Sequence, residues 1–342
     1  LIGVSLWIFG RSRIRQLLDS FAVGGTESIK AAAIAYGLLY LALSLFPFDF
    51  VVSFQEIAWK LESGNQGWIL AGDCQGLLRC TARLAADAVA IAPLGLFLRL
   101  TYPRLGLLHL FAGGIVASLL LELLQLLLAS GTSQGLSVIL RAAGLVAGAM
   151  LGSLLKTTGP VPVARFIWRA TPFAVLPYLL LLVSLAGWFS APWLSASDAL
   201  AQLAEARILP FYYHYYSTEP AAMASLLANV VMYAPLGILA WAKHTARPHR
   251  RHVGAGEAAL AALATAAVFE TSKLWLAGKH PDYTNLLIAA LGATVAYLLV
   301  RWIGRASAQT TNDGTQPRAP TARPSPPHPR PMARVRWPRP PS

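Results

Sequence analysis

The residues most able to do chemistry in this chain are charged and amide side chains set inside apolar runs. Glu122 and Gln125 stand three apart, as do Glu270 and Lys273, and Arg141, Asp282 and Asn285 follow one segment later. Asp87 and Asn229 each open a further apolar stretch. A carboxylate inside a membrane helix costs a few kcal/mol on insertion scales, so it turns toward neighbouring helices and finds a partner. Residues three apart share a helical face. Arg141 is therefore a partner for Glu122, while Lys273, Asp282 and Asn285 are placed to surround Glu270. Two readings of this chemistry stand together. One is an outward-facing polar pocket for the head group of a lipid-like molecule, and the other is polar glue between helices. Catalysis asks for a nucleophile, a base and an orienting group within reach. No Ser/His/Asp set and no metal spacing such as His-x-x-x-His occurs in the apolar runs. No catalytic residue, metal ligand or cofactor is assigned, and enzymatic activity is left open.

These side chains need long apolar elements to hold them, and composition supplies those elements. The 342 residues are 56% hydrophobic and 13% charged, against about 25% charged in soluble proteins. The stretches 31–48, 170–197, 220–242 and 283–300 contain no Asp, Glu, Lys or Arg. A helix of about 20 residues crosses the hydrocarbon of a bilayer, and continuous apolar blocks exclude the alternation of a β-barrel. The fold class is all-α, a polytopic helical membrane protein. Eight spans are expected, near 29–48, 84–102, 107–129, 136–155, 172–194, 221–241, 255–276 and 284–303. The formal charge of +13 sits in short segments beside the spans and in the tail. That placement argues for membrane orientation and against nucleic acid. It puts Lys30, Arg99, Lys156, Arg165, Arg169 and the 243–251 run on the cytoplasmic side, with both termini inside.

The spans fall into two similar sets. Asp87-Ala-Val-Ala-Ile-Ala-Pro-Leu-Gly95 is repeated by Asn229-Val-Val-Met-Tyr-Ala-Pro-Leu-Gly237, so Pro93 and Gly95 answer to Pro235 and Gly237. Glu122 precedes Gly144, and Glu270 precedes Gly292, by 22 residues in both cases. The expected organisation is an N-terminal cytoplasmic segment 1–28, a four-helix unit 29–155, a linker 156–171, a second unit 172–303, and a disordered Pro/Arg-rich tail 304–342. Four spans per unit make the repeat parallel, which weakens a transporter reading based on inverted repeats.

This order of a polar-led helix with Pro-x-Gly, a Glu-bearing helix and a Gly-spaced helix resembles the VanZ-like membrane family, in two tandem copies. The resemblance covers roughly residues 30–155 and 172–303. Asp87, Pro93, Gly95, Glu122, Gln125 and Gly144 fit its pattern in the first copy; Asn229, Pro235, Gly237, Glu270, Asp282 and Gly292 fit in the second. Gln134, Ser137 and Arg141 depart from it, as do Lys273, Asn285 and Ala289. The resemblance implies a role in the bacterial inner membrane and lowered sensitivity to glycopeptide or lipopeptide antibiotics such as teicoplanin. The implied partners are membrane lipids and an envelope lipid or lipid-like antibiotic. A flippase for a lipid-linked intermediate and an enzyme modifying such a lipid are the alternatives.

Three lesser features complete the reading. Cys74 and Cys80, in an exported connection, form either a small-loop disulfide or two separate thiols. The run Phe211-Tyr-Tyr-His-Tyr-Tyr216 has the amphipathic rings that settle at membrane interfaces. Lys243 to His252 reads as a topology determinant drawn to anionic head groups.

Overall fold

The structure is a computed structural model that describes residues 25–51, 66–67, 77–131, 133–206, 211–247 and 254–315, with scattered residues at 12–20, 53–58 and 209. Apolar runs punctuated by Gly and Pro fold here into α1 (Gly25–Ser44), α2 (Leu77–Thr101), α3 (Leu107–Leu126), α4 (Gly135–Thr158) and α5 (Pro160–Ala186). These are followed by α6 (Ala196–Glu205), α7 (Tyr212–Tyr215), α8 (Glu219–Ala246), α9 (Ala255–Ser272) and α10 (Thr284–Thr315). The described sheet structure is one parallel two-residue ladder, Gln66–Gly67 beside Ser133–Gln134. Eight of the helices occupy the places of the expected spans. Six of them, all but α1 and α9, are long and apolar enough to cross a bilayer by themselves. In α9 two glutamates, Glu257 and Glu270, fall within 18 residues, which lowers its mean hydropathy.

Several boundaries differ from expectation. The bridge expected over 156–171 is helical on either side of one residue, Gly159. Gly159 takes φ +77°, and Pro160 starts α5 at a position where its missing N–H costs nothing. The two internal prolines of α5, Pro172 and Pro177, do not end it; Gly187, at φ +92°, does. The helix α10 continues through 304–315 rather than stopping at 303, and 316–342 lie outside the described residues. Cys74 and the Cys80 side chain also lie outside them.

Helix α2 packs along α4, and α8 packs along α10 in the same manner. Glycines set how close they come. A Cβ on Gly95 would sit 1.9 Å from the Leu145 carbonyl oxygen, and one on Gly144 2.1 Å from that of Ala88. The second pair of helices repeats this, with Gly237 2.0 Å from the Ala293 oxygen and Gly292 2.7 Å from that of Val230. Without a hydrophobic drive between helices in lipid, such backbone-to-backbone approach is a main source of association. Helix α3 lies against α4 and α9 against α10, while α1 covers α2 and α5 covers α8.

Other contacts recur between the same places in each half. Pro93 and Pro235 each lie inside a helix that continues past them, removing one backbone donor to the preceding turn. The Tyr36 hydroxyl donates to the Ala90 carbonyl, and the Tyr178 hydroxyl donates to the Met232 carbonyl at 2.8 Å. Each acceptor stands three residues before the proline. On the far side of the bundle, Ala129 N donates to Asp49 O, and Ala277 N donates to Pro192 O. Replacing Tyr178 with Phe should cost about 1 kcal/mol, the worth of one hydrogen bond, and Tyr36→Phe the same. Thermal unfolding in detergent checks this, and an unchanged midpoint for both variants would remove the role assigned to the hydroxyls.

The halves meet at one end. Ile29, Leu96, Phe97 and Leu100 pack with Leu155, Val163 and Ala306, and Phe97 meets Trp302 edge to face at 6.3 Å. Helix α1 touches α10 there, as α5 touches α4. The Gly25 N–H donates to Gln309 Oε1 at 3.2 Å.

Candidate functional site

Two polar clusters are buried in the bundle. In the first, Glu122 of α3 is 6% exposed and Arg141 of α4 5%. Arg141 Nη1 donates to Glu122 Oε1 at 2.6 Å, and its Nη2 lies 3.6 Å from Asp87 Oδ2 on α2. The other carboxylate oxygen of Glu122 accepts the backbone N–H of Gln134 at 3.0 Å. Ser137 Oγ donates to Asp87 Oδ2 at 2.7 Å and accepts from Gln134 Nε2 at 2.9 Å. Three helices are thus joined through one guanidinium. Charge-assisted pairs in a low-dielectric interior are strong, and breaking one leaves an uncompensated charge. Gln125 is turned elsewhere, donating to the Ser44 carbonyl at the end of α1.

The second cluster starts from the same arrangement. Glu270 of α9 is 4% exposed, and its Oε2 accepts the backbone N–H of Asp282 at 2.8 Å. The displacement of 148 residues that relates Glu122 to Glu270 also relates Gln134 to Asp282 and Ser137 to Asn285. Glu270 Oε1 accepts from Lys273 Nζ at 2.7 Å and from Asn285 Nδ2 at 2.9 Å. Asp282 turns its own carboxylate to the Thr284 N–H, starting α10, and Thr284 Oγ1 accepts the Phe211 N–H at 2.7 Å. The second cluster has no guanidinium: Ala289 stands where the first has Arg141, and Tyr233 stands where the first has Ile91.

A cleft of about 290 Å³ opens over this second cluster. Asn229, Tyr233, Glu270, Lys273 and Asn285 form its polar side, and Leu182, Leu185, Met232 and Phe269 its apolar side. Asn229 Nδ2 donates back to the Ser225 carbonyl at 3.0 Å. Both kinds of surface therefore meet in one space, as ligand sites require. A wider groove of about 480 Å³ lies beyond the Trp188–Phe269 contact, lined by Trp188, Trp193 and Trp275 and without a charged side chain. Its polar lining side chains include the Thr271 and Ser272 hydroxyls, and that of Ser272 is already engaged by Trp188 Nε1 and the Phe269 carbonyl, so the smaller cleft, with its charged and amide groups, is the candidate site.

Residues 175–304 match the VanZ/LLP1 family model. This VanZ-like region contains α8, α9, the C-terminal part of α5 and most of α10, and with them the whole cleft. No curated protein matches the chain, and no solved structure matches it. Six apolar helices long enough to cross a bilayer mark the chain as a membrane protein, and the VanZ-like region holds the later of them.

The position of the buried carboxylates could be read from sequence, but some of their partners could not. The backbone N–H donors of Gln134 and Asp282 carry no side-chain signal. Tyr233 lies in an apolar run whose neighbours do not mark it. At the opposite end of the VanZ-like region, Lys243 and His244 of α8 both bond Glu257 in the first turn of α9, and His244 Nδ1 meets the Tyr297 hydroxyl at 3.1 Å. Arg247 lies over the Trp168 ring at 5.3 Å. Part of the basic run therefore ties helix ends together, a role that the signal of Glu257 opening an apolar run could have revealed.

Proposed function

We propose that the chain is a bacterial inner-membrane protein of two tandem VanZ-like units, spanning the bilayer eight times with both termini in the cytoplasm. In this reading the second unit holds the head group of an envelope lipid, or of a lipid-like glycopeptide or lipopeptide antibiotic, in its outward-facing cleft. Sequestering that molecule lowers sensitivity to the drug. The observation that carries the reading is the cleft itself, which combines a buried carboxylate and two carboxamides with an apolar wall. An amphiphile presents the same combination of polar head and apolar chain. The tandem organisation is supported by the paired glycine approaches, the paired tyrosine contacts and the paired backbone donors to Glu122 and Glu270. Glu122, Arg141 and Asp87 serve in this reading as a structural junction, because the guanidinium already satisfies both carboxylates.

The test compares Glu270→Gln with Glu122→Gln in protein purified from bacterial membranes. Native mass spectrometry should find a bound amphiphile on the unaltered chain. Glu270→Gln should lower its occupancy about tenfold, equivalent to about 1.4 kcal/mol, and Glu122→Gln should leave it unchanged. Equal occupancy in all three folded proteins would return Glu270 to a purely structural role.

A further inference from the structure

We infer that the open cleft takes a protonated amine carried on an apolar stem, seated over Glu270 as the Arg141 guanidinium is seated over Glu122. This rests on the reading of the cleft as an amphiphile site and names the chemistry of its ligand. The two clusters share a buried glutamate whose second oxygen is held by a backbone N–H. In the first, an internal cation bridges that glutamate to the polar residue on the adjacent helix. In the second, Ala289 removes that interhelical guanidinium and leaves only Lys273, from the end of the same helix as Glu270, as the cation beside an open cleft.

Apart from Lys273, the polar atoms left for a ligand include the carboxamide oxygens of Asn285 and Asn229. Asn285 is 8% exposed, its Nδ2 is committed to Glu270, and its Oδ1 is buried with no partner. A buried carbonyl oxygen without a donor costs about 1–3 kcal/mol, so a ligand N–H has a place waiting. Asn229 commits its own amide N–H to Ser225, leaving its carboxamide oxygen for the cleft. Tyr233 and Phe269 add aromatic rings to the lining, and aromatic faces attract ammonium groups. An anionic head would instead meet Glu270 and two carboxamide oxygens.

Lys273 is the counter-ion of the unliganded cleft. Its side chain is 20% exposed and belongs to the same helix end as Glu270, so it can swing outward as an incoming ammonium takes over Glu270 Oε1. Leu182, Leu185 and Met232 then flank the stem.

The experiment uses the full chain in phosphatidylcholine nanodiscs and measures displacement of labelled n-dodecylammonium. Competitors are N-dodecylacetamide, which keeps the stem and loses the charge, and ethylammonium, which keeps the charge and loses the stem. The unlabelled n-dodecylammonium should compete about tenfold better than either. Ala289→Arg should abolish binding by supplying the cation internally. Because that variant places a long side chain at a packed position, Lys273→Met provides an independent measurement at a partly exposed one. It should raise affinity about fivefold by removing the competing charge, a gain that a structural lysine would not give. Glu270-dependent binding of N-dodecylacetamide as tight as that of the amine would overturn the ammonium assignment and leave the amphiphile cleft standing. Ethylammonium binding as tight as n-dodecylammonium would overturn the apolar stem. Absence of any Glu270-dependent binding would overturn both the amine and the cleft.

Discussion

Arg141→Ala should destabilise the protein by about 3–5 kcal/mol, the penalty for stripping one partner from a buried charge network. The guanidinium is shared between Glu122 at 2.6 Å and Asp87 at 3.6 Å, so its removal strands Glu122 at the junction of α3 and α4. Asp87 is less affected, because its side chain is 24% exposed and keeps the Ser137 hydroxyl. Converting both partners, Arg141→Leu with Glu122→Leu, should recover most of the loss, since an apolar pair of similar volume often equals a buried ion pair in stability. Thermal unfolding of the purified variants in detergent distinguishes the cases. If the single variant unfolds at the same temperature as the parent, the network does not hold these helices together.

Gly148→Leu should be at least as damaging, by a different route. A Cβ at that position would sit 1.8 Å from the Ala92 carbonyl oxygen, and backbone cannot yield as a flexible side chain can. Overpacking commonly costs about 1–3 kcal/mol and sometimes more. Here α2 and α4 would have to separate along their crossing, taking the paired approaches of Gly95 and Gly144 with them. Gly113 provides the control, because nothing lies within 4 Å of a Cβ placed there. Gly113→Leu should fold with unaltered or higher stability, through better helix propensity. Membrane yield and unfolding temperature read both variants, and equal behaviour of the two leucines would dismiss close helix approach as a determinant of this fold.

How much of this could be read in advance follows from what each residue must do. Glu122 and Arg141 point to each other in the sequence because a lone charge among apolar residues has few ways to be satisfied. The placement of Lys273, Asp282 and Asn285 around Glu270 has the same logic. Long apolar stretches likewise announce the helices, although α9, with its two glutamates, is helical without being strongly apolar. Asp87 was harder to place, since its approach to Arg141 depends on how α2 lies along α4. Gly159 shows the opposite limit: Gly and Pro near it suggested a connecting loop, but a single positive φ turns the chain and helix resumes at once. The asymmetry of the clusters was visible as Arg141 against Ala289. Its result, a filled site and an open one, needed the cleft to be seen.

The bond from Gly25 to Gln309 has a bearing on how the polypeptide is threaded. The start of α1 and the late part of α10 meet at 3.2 Å, beside the place where α4 passes into α5 through Gly159. Both seams of the molecule are therefore at the same pole. A circular permutant opened at Gly159 and joined between the ends of α10 and α1 should keep the packing of the described helices, and a permutant that fails to fold would show that chain order matters.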